Sequence, residues 1–137
     1  MLKKLTRTTP FTADLGLLVA RAWFGTVLAV HHGYGKLMNL GAFANHVAAK
    51  HIPLPWLLGP LAGLGEFVGG LLLAIGLFSR GAAAWVLCVM LVAAFEVHGA
   101  DPFGKKELAL AYGAVAVAVL IAGPGRFSID ARWLGRR

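Results

Sequence analysis

The chain has few charged residues and almost no sulfur. Charged residues make up 14% of its 137 positions and only six are acidic, whereas 58% are hydrophobic. Ordinary soluble domains carry about 25% charged residues, and a small domain needs that charge because its surface is large for its volume. The shortage excludes a disordered segment, and the length excludes a two-domain enzyme. A single cysteine, Cys88, rules out an internal disulfide framework, and no C-x-x-C is present for thiol–disulfide exchange. Cys88 lies in the apolar stretch Trp85-Val86-Leu87-Cys88-Val89-Met90, so it reads as a buried, inert packing residue. No H-x-x-x-H or H-E-x-x-H offers two metal ligands on one helical face, and no G-x-G-x-x-G follows a strand.

What the chain has instead is long apolar runs, with a mean hydropathy of +0.74. About 20 helical residues cross a bilayer. Four windows meet that need: Leu15 to Leu37, Pro55 to Phe78, Gly81 to His98, and Glu107 to Ala122. Their punctuation is that of helix ends: Pro53 and Pro55, then Ser79-Arg80-Gly81, then Gly99 to Gly104, then Gly123-Pro124-Gly125. The expected fold is all-α, a polytopic membrane protein with four transmembrane helices in an antiparallel bundle forming one domain. The first window keeps a basic front, but Arg21 interrupts it and no A-x-A-like cleavage site follows, so it reads as a retained helix.

Net charge is +7, from 13 basic and six acidic residues. The basic residues flank apolar runs, which suits topology selection and anionic lipid headgroups and argues against nucleic acid. Lys3, Lys4, Arg7, Arg80, Arg126, Arg132, Arg136 and Arg137 share one side; Lys36, Lys50, Lys105 and Lys106 share the other. The positive-inside rule then puts both termini in the cytoplasm. The connection from Met38 to Leu54 lies outside, and Phe43, Val47 and Ile52, with Asn45, His46 and Lys50 between them, suggest an interfacial helix over residues 40–52.

Ionisable groups at membrane depth are costly and turn toward helix contacts. At about 100° per residue, Arg21, Gly25, His32 and Lys36 share one face of the first helix. Gly59, Gly63, Glu66 and Gly70 share one face of the second, where small residues admit a neighbouring helix. Arg21 and Glu66 lie at depths that differ by only about 4 Å, which allows an ion pair between them. That pair is either a packing device or part of a site. His32, Lys36, Glu96, His98 and Glu107 project to the outer end. They form either a solvated rim of helix-end residues or a polar pocket for a small molecule.

The run from Arg21 to Lys36, with its H-G-x-x-K, resembles the opening helix of the DoxX family. Gly65 to Leu77 is similar to that family's E-x-x-G-G-x-x-L-x-x-G-L second helix, and Ser79-Arg80 to its basic turn. Glu107 with Ala109, Leu110 and Tyr112 resembles the acidic start of its fourth helix, and Gly123 to Asp130 its G-P-G-x-x-S-x-D ending. The resemblance runs from Leu15 to Asp130. It implies a multi-pass protein of the bacterial inner membrane and an association with redox work, since the family includes the membrane subunit of a thiosulfate:quinone oxidoreductase. It also implies functional roles for Arg21, His32, Lys36, Glu66 and Glu107; Glu96 and His98 join them from bundle geometry. No cofactor is fixed by the sequence; the ligand expected is a quinone-like or other small molecule, ahead of haem or a metal ion. Expected partners are membrane lipids, soluble redox-enzyme subunits or a second copy of the chain. The alternative is a non-enzymatic binding, carrier or scaffold protein.

Overall fold

A computed structural model of the chain describes residues 9–133 and is helical throughout, without strands among the described residues. Lys3, Lys4, Arg7, Arg136 and Arg137 of the charge count lie outside the described residues.

The first helix, α1, spans Pro10–Met38, with a π-helical turn at Leu28–Gly33. It begins a turn earlier than hydropathy alone indicates. Thr9 and Thr12 form a reciprocal capping box, and Pro10 sits where its missing N–H costs nothing. A short helix α2, Leu40–Ala49, follows within the expected interfacial segment. Helix α3 spans Pro55–Ile75 and α4 Ser79–Val97, the latter ending in a second π-helical turn at Ala93–Val97. Helix α5 spans Phe103–Ala122, and a last short turn, α6, spans Ile129–Trp133. Helix α3 stops before Phe78 because Gly76 takes a left-handed conformation (φ 73°). The N–H groups of Gly76 and Leu77 both return to the Leu72 carbonyl.

Helix α1 packs on α3, α3 on α4, α4 on α5, and α5 back on α1, with α2 lying against α3. The buried centre is built of modest side chains: Leu28, Leu73, Ala82, Ala83, Val86, Met90, Ala116 and Val119. Small residues bring helix backbones close, which is how helices associate where lipid is as apolar as the interface. The outside is apolar as well: Trp23 is 68% and Ile121 76% exposed. Helices α1, α3 and α4 are long and apolar enough to cross a membrane. Helix α5 is as long, but Lys105, Lys106 and Glu107 open it.

Arg21 is fully buried, at the end of the molecule where α3 stops and α4 starts. Its Nε donates to the Pro124 carbonyl at 3.0 Å, and Nη1 to those of Leu73 (3.2 Å) and Ala74 (2.6 Å). Nη2 donates to the Phe127 carbonyl at 2.5 Å. The guanidinium thus satisfies two of the open carbonyls at the α3 C-terminus, where cations are also favoured by the helix dipole, and ties the loop after α5 to them. An ion pair with Glu66 is not formed. Leu73 lies seven residues beyond Glu66, about 10 Å along the helix. The two residues are not at similar depth, because α1 starts early and Arg21 serves the end of α3, not its middle. Gly76 is needed on two counts: its positive φ, and a Cβ there would meet Nη1 of Arg21 at 2.8 Å.

The G-P-G-x-x-S-x-D ending completes this lock. The Ser128 hydroxyl donates to the Gly125 carbonyl at 2.7 Å, and the Asp130 N–H donates to that of Gly76. The Asp130 carboxylate accepts from the N–H groups of Phe78 and Ser79, both at 2.8 Å, capping α4 from across the chain. Partial burial pushes the Asp130 carboxyl up, but the Ser79 and Phe78 donors outweigh it and hold the group below its ordinary value. A depressed carboxylate stabilises fully above its unfolded pKa, near 4, and loses that contribution as pH falls through the folded value. Acid thermal melts in detergent should therefore show a fall in Tm below about pH 4 that Asp130→Asn lessens. The substitution should itself cost about 1 kcal/mol at neutral pH. A pH profile unchanged by Asp130→Asn would refute the assignment.

Candidate functional site

At the opposite end of the molecule, the close approach of α1 to α3 sets the site. A Cβ at Gly33 would run into the backbone of Phe67, so only glycine lets the helices meet there. This contact carries Lys36 to Glu66. The Lys36 ammonium donates to both carboxylate oxygens, at 2.5 and 2.6 Å. Glu66 is 3% exposed and Lys36 28%, so the acid is sequestered and the amine reaches the surface. Lys36 also lies over the Phe43 ring of α2, 4.9 Å from its centre.

The π-helical turn in α1 re-aims the side chains beyond it. One extra residue in a turn rotates the later side chains relative to the earlier ones. His32, inside that turn, packs edge-on against Tyr112 of α5, with ring centres 5.6 Å apart. The second π-helical turn does the same for α4, closing with the His98 N–H on the Ala93 carbonyl. His98 comes just after that turn, and its Nδ1 lies 2.7 Å from Asp101 Oδ2. This hydrogen bond, aided by Lys50 and Lys105, holds the Asp101 carboxyl below its ordinary value against a weaker burial effect.

These groups line two adjoining cavities. The larger, about 450 Å³, has His32, Lys36, His46, Glu66 and His98 on its polar side. Its remaining wall is apolar and includes Val47, Leu61, Trp85, Val89 and Val92. The shape has a local cause. Trp85 and Val89 close tightly on Gly65, and Leu58 and Leu61 of α3 with Cys88 and Val92 of α4 line the same cavity as an apolar cleft. Several of these are also exposed on the outer surface: Leu61 at 41%, Val92 at 45%, and Cys88. Cys88 is therefore not a buried packing thiol; it stands at the edge of the cleft. The smaller cavity, about 110 Å³, shares His32, Lys36, Glu66, Ala93 and His98 and adds Lys105 and Tyr112.

Of the seven residues singled out in the sequence, His32, Lys36, Glu66 and His98 converge. Arg21 does not; it is part of the lock at the other end. Glu96 and Glu107 are exposed and line neither cavity. His46 and Asp101 join the site without having been singled out. His46 could be found from the amphipathic Phe43–Val47 segment, whereas Asp101 lies in a Gly- and Pro-bearing loop with no periodic signal. Among the described residues, no three or more of His, Cys, Asp and Glu cluster closely enough to hold a metal ion.

Three long apolar helices with an ion pair sequestered between two of them define an integral, multi-pass membrane protein. The DoxX family model matches residues 16–99, and the chain belongs to the DoxX family. It is 32% identical over 123 residues to the Inner membrane protein YqjF of Escherichia coli (strain K12), an alignment covering 85% of this chain and 91% of that protein. No solved structure matches it significantly. The chain is a multi-pass protein of the bacterial inner membrane.

Proposed function

We propose that this protein is the membrane component of an oxidoreductase or redox-linked system, and that its larger cavity binds a quinone-like molecule drawn from the bilayer. The observation that carries the reading is the make-up of the 450 Å³ cavity: hydrogen-bonding groups gathered at Lys36, Glu66, His32 and His98, with an apolar cleft leading away from them. Its size is within the range of small-molecule pockets, about 300–1,000 Å³. A carbonyl-bearing head would meet Lys36 and the imidazoles, and a hydrocarbon tail would run along the cleft past Leu61 and Val92. In this reading α5 is a fourth crossing, both termini are cytoplasmic by the excess of Lys and Arg on that side, and the cavity lies toward the periplasm. Soluble redox-enzyme subunits, or a second copy of the chain, would complete the electron path.

Cys88, the sole cysteine, supplies the test. In lipid nanodiscs, decylubiquinone should slow alkylation of Cys88 by N-ethylmaleimide several-fold, and decane at the same mole fraction should not. Equal protection by both, or by neither, refutes a quinone-like head in this cavity. Protection without any electron transfer to a co-purified partner would favour a carrier instead.

A further inference from the structure

The ion pair leaves the imidazoles of His32, His46 and His98 as the bases that line the cavities. Both oxygens of Glu66 are engaged by Lys36, and His32 is packed against Tyr112. His98 differs in carrying a carboxylate, Asp101, on one ring nitrogen; like His32 it lines both cavities, the apolar cleft and the small space beside Lys105. Asp101, half-buried in the loop after α4, is held ionised by that contact and by Lys50 and Lys105. An ionised carboxylate only accepts, so Nδ1 of His98 must carry its proton there. The far nitrogen, Nε2, is then the unprotonated one in the neutral ring, left for the cavities that the ring lines.

We propose that His98 and Asp101 form a proton-exchange dyad, with His98 taking the proton of an ionisable hydroxyl on the bound ligand and Asp101 positioning the ring. The inference rests on the quinone-like reading of the cavity and narrows its ligand to molecules with an acidic enol or phenol head. In the step, the ligand O–H bond breaks and an Nε2–H bond forms. The electron pair stays on the ligand oxygen, and no electron leaves the ligand. The oxyanion lies toward the Lys36 ammonium, and the imidazolium is balanced by Asp101. The small cavity beside Lys105 then gives the proton a way out that avoids the apolar cleft. Glu66 contributes nothing to this transfer while Lys36 holds both its oxygens.

The probe is an alkylated 4-nitrophenol, a phenol less acidic than an imidazolium, whose visible band shifts on ionisation. It is added to protein in nanodiscs, in near-neutral buffer at which it stays protonated in empty nanodiscs. Bound to the wild-type protein it should show the ionised band. His98→Gln and Asp101→Asn should still bind it, scored independently by protection of Cys88, but with the ionised fraction lowered about tenfold or more, as when an orienting carboxylate is lost. Bound probe that stays protonated in the wild type, or is ionised equally in both variants, overturns the dyad and leaves the pocket reading intact. A probe that neither binds nor protects Cys88 in the wild type overturns both.

Discussion

Arg21→Leu should lose at least about 4 kcal/mol of stability, measured by unfolding in mild detergent, a loss typical only of severe core lesions. The substitution removes the donors of four hydrogen bonds, to the carbonyls of Leu73, Ala74, Pro124 and Phe127. Each bond to a charged donor contributes about 1.5–3 kcal/mol, and two of the bonds lost, to Leu73 and Pro124, are buried and the other two partly so. Arg21→Lys should recover only part of the loss. An ammonium carries the charge but is a single point with three donors, and cannot span carbonyls from two separate segments as the planar guanidinium does. Adding Glu66→Leu to Arg21→Leu should give no recovery. The two residues share no partner, so their effects should add. A stable Arg21→Leu protein, or recovery in the double variant, would contradict the lock.

The sequence carries the fold at the level where physics is insensitive to detail. Apolar runs of spanning length, punctuated by Pro and Gly, locate the long helices to within a turn or two. Pairing is harder to see. Arg21, Gly25, His32 and Lys36 share one face only on a helix of unbroken 100° per residue, and the π-helical turn at Leu28–Gly33 breaks that regularity. Nothing in Leu-Ala-Val-His-His-Gly announces the extra residue. Similarly, a charge at membrane depth is expected to seek an opposite charge, but Arg21 meets its need with carbonyls that only the tertiary fold brings together. Four of the site residues are legible because an ionisable group in an apolar helix is expensive and must face inward. Asp101 is not, because a loop carboxylate is ordinary until its neighbour is known.

The two ends of the molecule therefore divide the motifs of the family. Arg21 with the Gly123–Asp130 segment fastens the helix ends and contributes nothing to either cavity that His32 lines. His32, Lys36 and Glu66 shape those cavities. Both sets run through α1 and α3, so the close contact at Gly33 determines how the site end is set against the lock.

That division gives the second large effect, at Lys36 and Glu66. Lys36→Met should cost about 3 kcal/mol or more, because it leaves a carboxylate that is 3% exposed with no countercharge. Glu66→Leu should cost less than Lys36→Met, since the Lys36 ammonium, 28% exposed, can turn toward water and keep its stem over Phe43. Replacing both, Lys36→Met with Glu66→Leu, should restore stability to within about 1 kcal/mol of the parent, because a well-packed apolar pair often matches a buried ion pair. The restored protein should still fail to show quinone protection of Cys88, having kept the fold and lost the polar end of the cavity. Unfolding curves and alkylation rates on the same four proteins check both halves. If the single variants are as stable as the parent, the pair serves only the ligand; if the double variant remains unstable, Lys36 or Glu66 has a further structural partner.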